Sequence, residues 1–201
     1  MKQERAEFAE QLAAARQGRA ADLLEAYRNY LRFLAWDGIG ERFRSKIDPS
    51  DIVQEALIGA NQHFGQFLGT SERELLAWLR TILARKLVDF VRRFQPAREE
   101  KPVAERSFEE ILYDSSAALE NLLPADDTRP SQAVRRREVS VILADALTRL
   151  KEDQRQVIVL RSLQELSWEE VAQRMQRSNG AVRQLWLRAL QKLKPFMEKT
   201  R

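Results

Sequence analysis

Apolar side chains recur along this chain at steps of three and four, the spacing that lines one face of an α-helix. Leu23, Leu24, Tyr27, Leu31 and Leu34 predict a long helix, which Asp37-Gly38-Ile39-Gly40 is expected to end. Asp48-Pro49-Ser50-Asp51 opens the next: Asp48 suits the N-cap, Pro49 the first helical position and Asp51 the positive end of the helix dipole. Ile52, Val53, Ala56, Leu57, Ala60 and Phe64 face its core side. After the loop Gly65–Thr70, Ser71 caps a third helix over Glu72–Phe94. Its apolar arc is wide: Leu75, Leu76, Trp78, Leu79, Ile82, Leu83, Leu87, Phe90 and Phe94. A second block begins near Ser131, with one helix marked by Val139, Ile142, Leu143, Ala146, Leu147 and Leu150. Val157, Ile158, Leu160 and Leu163 mark another. The pattern predicts an all-α fold of two small helical domains joined by a linker.

The end of the second block reads as a helix-turn-helix. Ser167-Trp168-Glu169-Glu170 has the Ser-x-x-Glu spacing of a capping box, in which each side chain satisfies a free backbone N–H. Val171, Ala172 and Met175 supply that helix's apolar face. Gln176-Arg177-Ser178 is a short polar break, with Ser178 as N-cap of a last helix from Asn179 onward. Val182, Trp186, Ala189, Leu190 and Leu193 form one stripe of that helix; Arg183, Gln184, Leu187, Arg188 and Gln191 form the opposite one. Arg bonds guanine bidentately, Gln bonds adenine and an apolar side chain meets the thymine methyl, so this face suits major-groove reading. A merely solvated helix surface carries the same residue types, and the paired caps and short turn are what favour the DNA reading.

Composition narrows the function classes. The 201 residues hold no cysteine and one histidine, which excludes disulfides, thiolate metal sites and a Cys-His nucleophile. His63 reads as a polar residue at a helix end. No cofactor, metal site or catalytic residue is expected. The N-terminus lacks an apolar signal core and no run suits a membrane span, so a cytoplasmic protein is expected. The net charge of +4 is a modest basic bias, and its distribution matters more. Between Pro96 and Pro130 nine acids face four bases, a net of −5, which leaves the cations in the flanking blocks. Phe108, Ile111, Leu112, Leu119, Leu122 and Leu123 suit a short amphipathic helix there, bracketed by Pro102, Pro124 and Pro130. The stretch is read as a linker whose helix is transient or induced by a partner.

In the first block, the outward stripe of the second helix is Asp51, Gln54, Glu55, Ile58 and Gln62. An isoleucine amid polar positions suggests contact with another protein, although a single exposed isoleucine is normal on any surface. The second half of the third helix carries Arg80, Arg85, Lys86, Arg92 and Arg93 against Asp89 alone. Cations interleaved with aromatics suit phosphate contact and stacking on unpaired bases, although an amphipathic core helix with basic ends accounts for the apolar part equally well. Phe67 lies in a Gly-flanked loop. It is open to a base extruded from the duplex, or it plugs the end of the three-helix core.

Taken together the blocks resemble an extracytoplasmic-function sigma factor of the sigma-70 family, over nearly the whole chain outside the linker. The resemblance rests on Asp51-Ile52-Val53-Gln54-Glu55-Ala56, Trp78-Leu79-Arg80-Thr81-Ile82 and Asp89-Phe90-Val91-Arg92-Arg93 in the first block. In the second it rests on Leu150-Lys151-Glu152-Asp153-Gln154-Arg155-Gln156-Val157-Ile158, Leu166-Ser167-Trp168-Glu169-Glu170-Val171-Ala172 and Gly180-Ala181-Val182-Arg183. It implies residues 1–95 as a region 2-like domain, 96–130 as an acidic linker through the polymerase cleft, and 131–201 as a region 4-like domain. Asp51, Gln54, Glu55 and Ile58 would dock on the clamp helices of core RNA polymerase. Phe67, Arg80, Arg85, Lys86, Arg92 and Arg93 would open the minus-ten element. Ser178, Asn179, Arg183, Gln184, Leu187 and Arg188 would read the minus-thirty-five element. Lys86 stands where the family usually has Asn, and the linker is longer than in its most compact members.

The expected partners are core RNA polymerase and promoter DNA, with room for an anti-sigma factor. Two alternatives compete. A helix-turn-helix regulator acting without polymerase would need a dimerisation or ligand domain in the first block, which the polar stripe around Gln54 disfavours. An enzyme acting on nucleic acid would need a clustered carboxylate metal site that the sequence does not offer.

Overall fold

The computed structural model describes residues 2–44, 46, 48–94, 105–121 and 141–198, and among them all regular structure is helical. The chain forms two compact units, Met1–Tyr113 and Asp114–Arg201.

The first unit begins with α1 (Lys2–Ala14), a wide turn over Ala15–Arg19, and α2 (Ala20–Glu25). Gly18 sits in that turn at φ +102°, where a side chain would strain the backbone. Then come α3 (Arg28–Arg44), α4 (Pro49–Gln62) and α5 (Glu72–Phe94), which pack against one another as a three-helix core. Tyr30, Leu31, Leu34, Ile52, Leu75, Leu83 and Leu87 are fully buried there. Each such side chain contributes about 1.5–3 kcal/mol by leaving water, so the seam between these helices holds the unit together.

Two expectations of this region change. The long helix does not end at Asp37-Gly38-Ile39-Gly40: α3 runs on to Arg44, and the break falls earlier, at Ala26–Tyr27. Gly38 serves close packing instead. A Cβ placed there would lie 3.3 Å from both Leu87 and Leu112, so the missing side chain lets two other elements approach α3. The second change concerns the stretch read as a linker. Glu105–Asn121 is a helix, α6, already in the isolated chain, with Phe108, Leu112 and Leu119 buried. Apolar burial gives it the tertiary partner that a short helix needs. Pro96, Pro102, Leu122, Leu123, Pro124 and Pro130, and with them most of the expected linker, lie outside the described residues.

The second unit contains α7 (141–148), α8 (Glu152–Ile158) with a wider turn over Val159–Leu163, α9 (Trp168–Arg174) and α10 (Asn179–Glu198). Leu143, Ala146, Leu147, Leu150, Val157, Ile158 and Leu160 are buried as expected. Ile142 is 39% exposed and does not join them, and Val139 lies outside the described residues. Lys192 Nζ on α10 donates to buried Gln154 Oε1 at 3.0 Å, and Arg177 pairs with Asp153, tying α8 to the helix-turn-helix.

Candidate polymerase-docking and nucleic-acid interfaces

The α4 surface forms as its sequence dictates. Asp48 accepts from the Ser50 N–H at 2.8 Å, Pro49 starts the helix, and Ile52, Val53, Ala56, Leu57 and Ala60 are buried. That leaves Asp51, Gln54 and Ile58 outside, with Ile58 50% exposed and Glu55 half-buried. His63 ends the helix, its ring Nδ1 2.8 Å from the Gly59 carbonyl oxygen; a carbonyl only accepts, so Nδ1 carries the proton. Glu55 is not a lone outward acid. Lys86 Nζ lies 3.4 Å from it and Arg93 Nη1 3.9 Å. The stripe on α4 and the basic track of α5 therefore meet at one carboxylate, an arrangement that no spacing within either helix reveals.

On α5 the sequence-chosen cations are not equivalent. Arg92 and Arg85 are exposed, and Arg93 is exposed with its guanidinium 4.8 Å from the Phe90 ring centroid. Arg80 turns into the fold: it donates to Tyr30 Oη at 3.0 Å and lies 5.9 Å over the Tyr113 ring. A half-buried guanidinium held by two tyrosines serves packing, so Arg80, unlike the other four cations, does not stand on the surface expected to meet phosphate.

Phe67 needs the same correction. It is only 6% exposed, with its ring 5.9 Å from Phe64 and 5.3 Å from Trp78. The loop folds over it tightly. Arg16 donates to the Gly69 carbonyl at 2.9 Å, and Glu74 Oε2 accepts from the N–H groups of Thr70 and Ser71 at 2.9 and 3.0 Å. The bond from the Ser71 hydroxyl at 2.7 Å, and after it those two, hold the Glu74 carboxyl below its ordinary range. Phe67 is thus the plug of the core, because three aromatic rings bury more apolar area together than a loop tip offers. The neighbouring Leu68 is the side chain displayed, at 85% exposure. Two consecutive apolar loop residues carry no periodicity that says which one turns inward.

The helix-turn-helix matches its expected local chemistry closely. Ser167 Oγ accepts from the Glu170 N–H at 3.3 Å and Glu170 Oε2 from the Ser167 N–H at 2.8 Å, completing the capping box; the second of these bonds, with one from the Ser167 hydroxyl, lowers the Glu170 pKa. At the far end of α9 the Arg177 N–H reaches the Ala172 carbonyl at 2.9 Å and the Gln176 N–H that of Gln173 at 3.2 Å, with Gln176 at φ 52°. This is a Schellman stop made without glycine. Ser178 Oγ caps α10 through the Ala181 N–H at 3.3 Å, and Asn179 Nδ2 donates to Glu169 Oε1 at 3.3 Å.

Val182, Ala189 and Leu193 are buried, and Trp186 and Leu190 partly so. The opposite stripe of Arg183, Gln184, Leu187 and Arg188 is exposed, Leu187 by 46%. An apolar side chain kept in water among two cations and an amide gives a face with the groups that read base edges. One part of this site carried no signal in the sequence. Trp168 forms an edge-on pair with Trp186 at 5.6 Å, and the guanidinium groups of Arg161 and Arg183 lie over its ring at 4.9 and 5.5 Å.

Among the described residues no group of three or more His, Asp or Glu side chains could hold a metal ion, and no helix is long and apolar enough to cross a membrane.

Comparison with known proteins matches residues 23–96 to the family model of sigma-70 region 2 and residues 140–193 to that of sigma-70, region 4. The ECF RNA polymerase sigma-E factor of Haemophilus influenzae is 30% identical over 166 residues, covering 80% of this chain and 82% of its own. The RNA polymerase sigma factor YlaC of Bacillus subtilis is 29% identical over 151 residues, covering 75% and 78%.

Proposed function

Because the chain belongs to the sigma-70 family, as an extracytoplasmic-function factor that binds core RNA polymerase and directs it to promoters, we propose a division of labour among its surfaces. The α4 stripe of Asp51, Gln54, Glu55 and Ile58 docks on core polymerase. Arg85, Lys86, Arg92 and Arg93 on α5 engage the opened minus-ten element. Ser178, Asn179, Arg183, Gln184, Leu187 and Arg188 read the minus-thirty-five element. Residues 1–95 and 131–201 act as the two functional domains, and the stretch 96–130 between them runs inside the polymerase once the first half of α6 leaves its packing on α3 and α5.

The observation that carries the docking assignment is Ile58. It stays 50% exposed within a polar stripe, while five other apolar residues of the same helix are buried. A partner surface that covers it gains the burial that the free chain forgoes. Opening rests on Lys86 and Arg93, which Glu55 holds beside α4 until the phosphates of a single strand offer a stronger field. Reading rests on the exposed α10 stripe.

In this reading the protein is the specificity subunit of an enzyme and not itself an enzyme. It binds and holds the promoter strands without breaking a bond in them. It works in the cytoplasm, where polymerase and chromosome are.

Reconstituted transcription with core polymerase on a library of genomic promoters tests the whole assignment. Transcripts that depend on the chain and start from a common pair of elements are expected. Specific DNA binding without any core-dependent transcript would favour the free-standing regulator, and metal-dependent cleavage of the DNA would favour an enzyme.

A further inference from the structure

The cluster around Trp168 assigns a role to a residue that does not itself lie on the reading stripe. We infer that Trp168, at the start of α9, is a positioning residue: its ring fixes the direction in which Arg183 approaches the minus-thirty-five bases. The inference rests on Arg183 being a reader of that element.

Arg183 is exposed at the start of α10, and a solvated arginine samples many rotamers, each of which must be given up on binding a single base edge. The Trp168 ring lies 5.5 Å from its guanidinium carbon, within the range of a cation–π attraction. The ring is fixed in turn. Trp186 meets it edge-on at 5.6 Å and is anchored by its own Nε1–H, which donates to Ser162 Oγ at 3.0 Å. Arg161 lies over the same ring at 4.9 Å, with Nη1 donating to the Leu166 carbonyl at 2.8 Å. The backbone of Trp168 is set by the Ser167–Glu170 capping box one residue before it. The aromatic and cationic groups against the ring thus come from α10 and from the wide turn after α8, and of them Arg183 is the one exposed on the reading stripe. A guanidinium resting on a fixed ring starts from a restricted set of directions, and bidentate recognition of guanine depends on that plane.

The test compares Trp168→Leu, Trp168→Phe, Arg183→Ala and the double variant Trp168→Leu/Arg183→Ala. Each is assembled in full length with core polymerase on a promoter library randomised over the minus-thirty-five element. Melting temperature is measured on each free chain. Trp168→Leu should reduce discrimination about two- to fivefold at the base position that Arg183→Ala also affects, and little elsewhere. Phe should restore most of it, since it supplies a ring face. In the Arg183→Ala background the leucine should add nothing at that position. A loss spread evenly over all positions, or one that follows the drop in melting temperature in Leu and Phe alike, overturns the positioning role and leaves Trp168 as packing. If Arg183→Ala itself leaves the profile unchanged, the reading assignment of Arg183 falls, and the role of Trp168 falls with it.

Discussion

Replacing Gly69 by alanine puts a methyl group where the loop over the first core has no room for one. A Cβ at this position would lie 2.4 and 2.6 Å from Cζ and Cε2 of Phe67 and 2.8 Å from Cβ of Glu74. Carbon atoms rest at about 3.5–4.0 Å, so the ring or the backbone must give way by roughly an ångström. The ring has little freedom to do so, because Phe64 and Trp78 flank it at 5.9 and 5.3 Å. Overpacking of a fixed core costs about 1–3 kcal/mol. At about 4–8 °C per kcal/mol for a domain of this size, a cost near 2 kcal/mol lowers the melting temperature of the first unit by about 8–16 °C. Gly65→Ala is the control. Nothing lies within 4 Å of its added Cβ, and its effect should stay within about 0.5 kcal/mol.

Scanning calorimetry of the full chain, which resolves the units if they melt separately, reads all of these variants. In a Phe67→Ala background, itself costing about 3–5 kcal/mol, Gly69→Ala should cost at least about 1 kcal/mol less than in the parent, since its main obstacle is gone. Additive losses would refute the account of Phe67 as the residue on which the loop rests. The same variant addresses function. If Phe67→Ala spares the melting temperature and slows promoter opening, with rescue by a premelted bubble, a base and not the core holds Phe67.

Further outcomes follow from single contacts. Ile58→Arg should leave the fold intact and weaken co-purification with core polymerase strongly, whereas unchanged binding would remove α4 from the docking surface; Ile58 is preferred to Glu55 here because Glu55 also pairs within the chain. Arg188→Ala should lose about 1–3 kcal/mol of discrimination at particular minus-thirty-five positions if it bonds base edges, and a uniform, salt-shallowed loss would assign it to phosphate. Gln176→Gly should stabilise the second unit by about 0.5–1 kcal/mol, the relief of a left-handed backbone offset by the entropy of glycine, as read by denaturant unfolding. Burial raises the Glu72 carboxyl above its ordinary range, the hydrogen bond from Tyr27 at 2.8 Å offsetting only part of this. The protonated form is therefore favoured by folding. Its contribution is present in acid and lost as pH rises through the raised value, so Glu72→Gln should gain stability over the parent across that window and keep the gain at neutral pH. Equal stability of the two at every pH would contradict it.

Local chemistry was legible in the sequence wherever the determining partners lie within a few residues. The Asp48-Pro49 start of α4, the Ser167–Glu170 box, the Ser178 cap and the buried faces of α4 and α10 all follow from bonds that close within one turn, or from a periodicity that any core would select. Decisions that depend on a surface far away in sequence were made only by the tertiary structure. Gly38 looks like a helix stop until Leu87 and Leu112 are seen to come within 3.3 Å of where its side chain would begin. Arg80 looks like a phosphate contact until Tyr30 and Tyr113 take it. Phe67 and Leu68 are equally apolar neighbours in one loop, and only the presence of Phe64 and Trp78 on one side decides that the first is buried and the second displayed. The same holds for Glu55, whose partners Lys86 and Arg93 lie on another helix, and for Trp168, which meets Arg161, Arg183 and Trp186 across a turn. Capping is an energy of a residue with its own backbone, and periodicity says which face of one element is apolar, while burial is an energy of two surfaces of which a linear pattern specifies one.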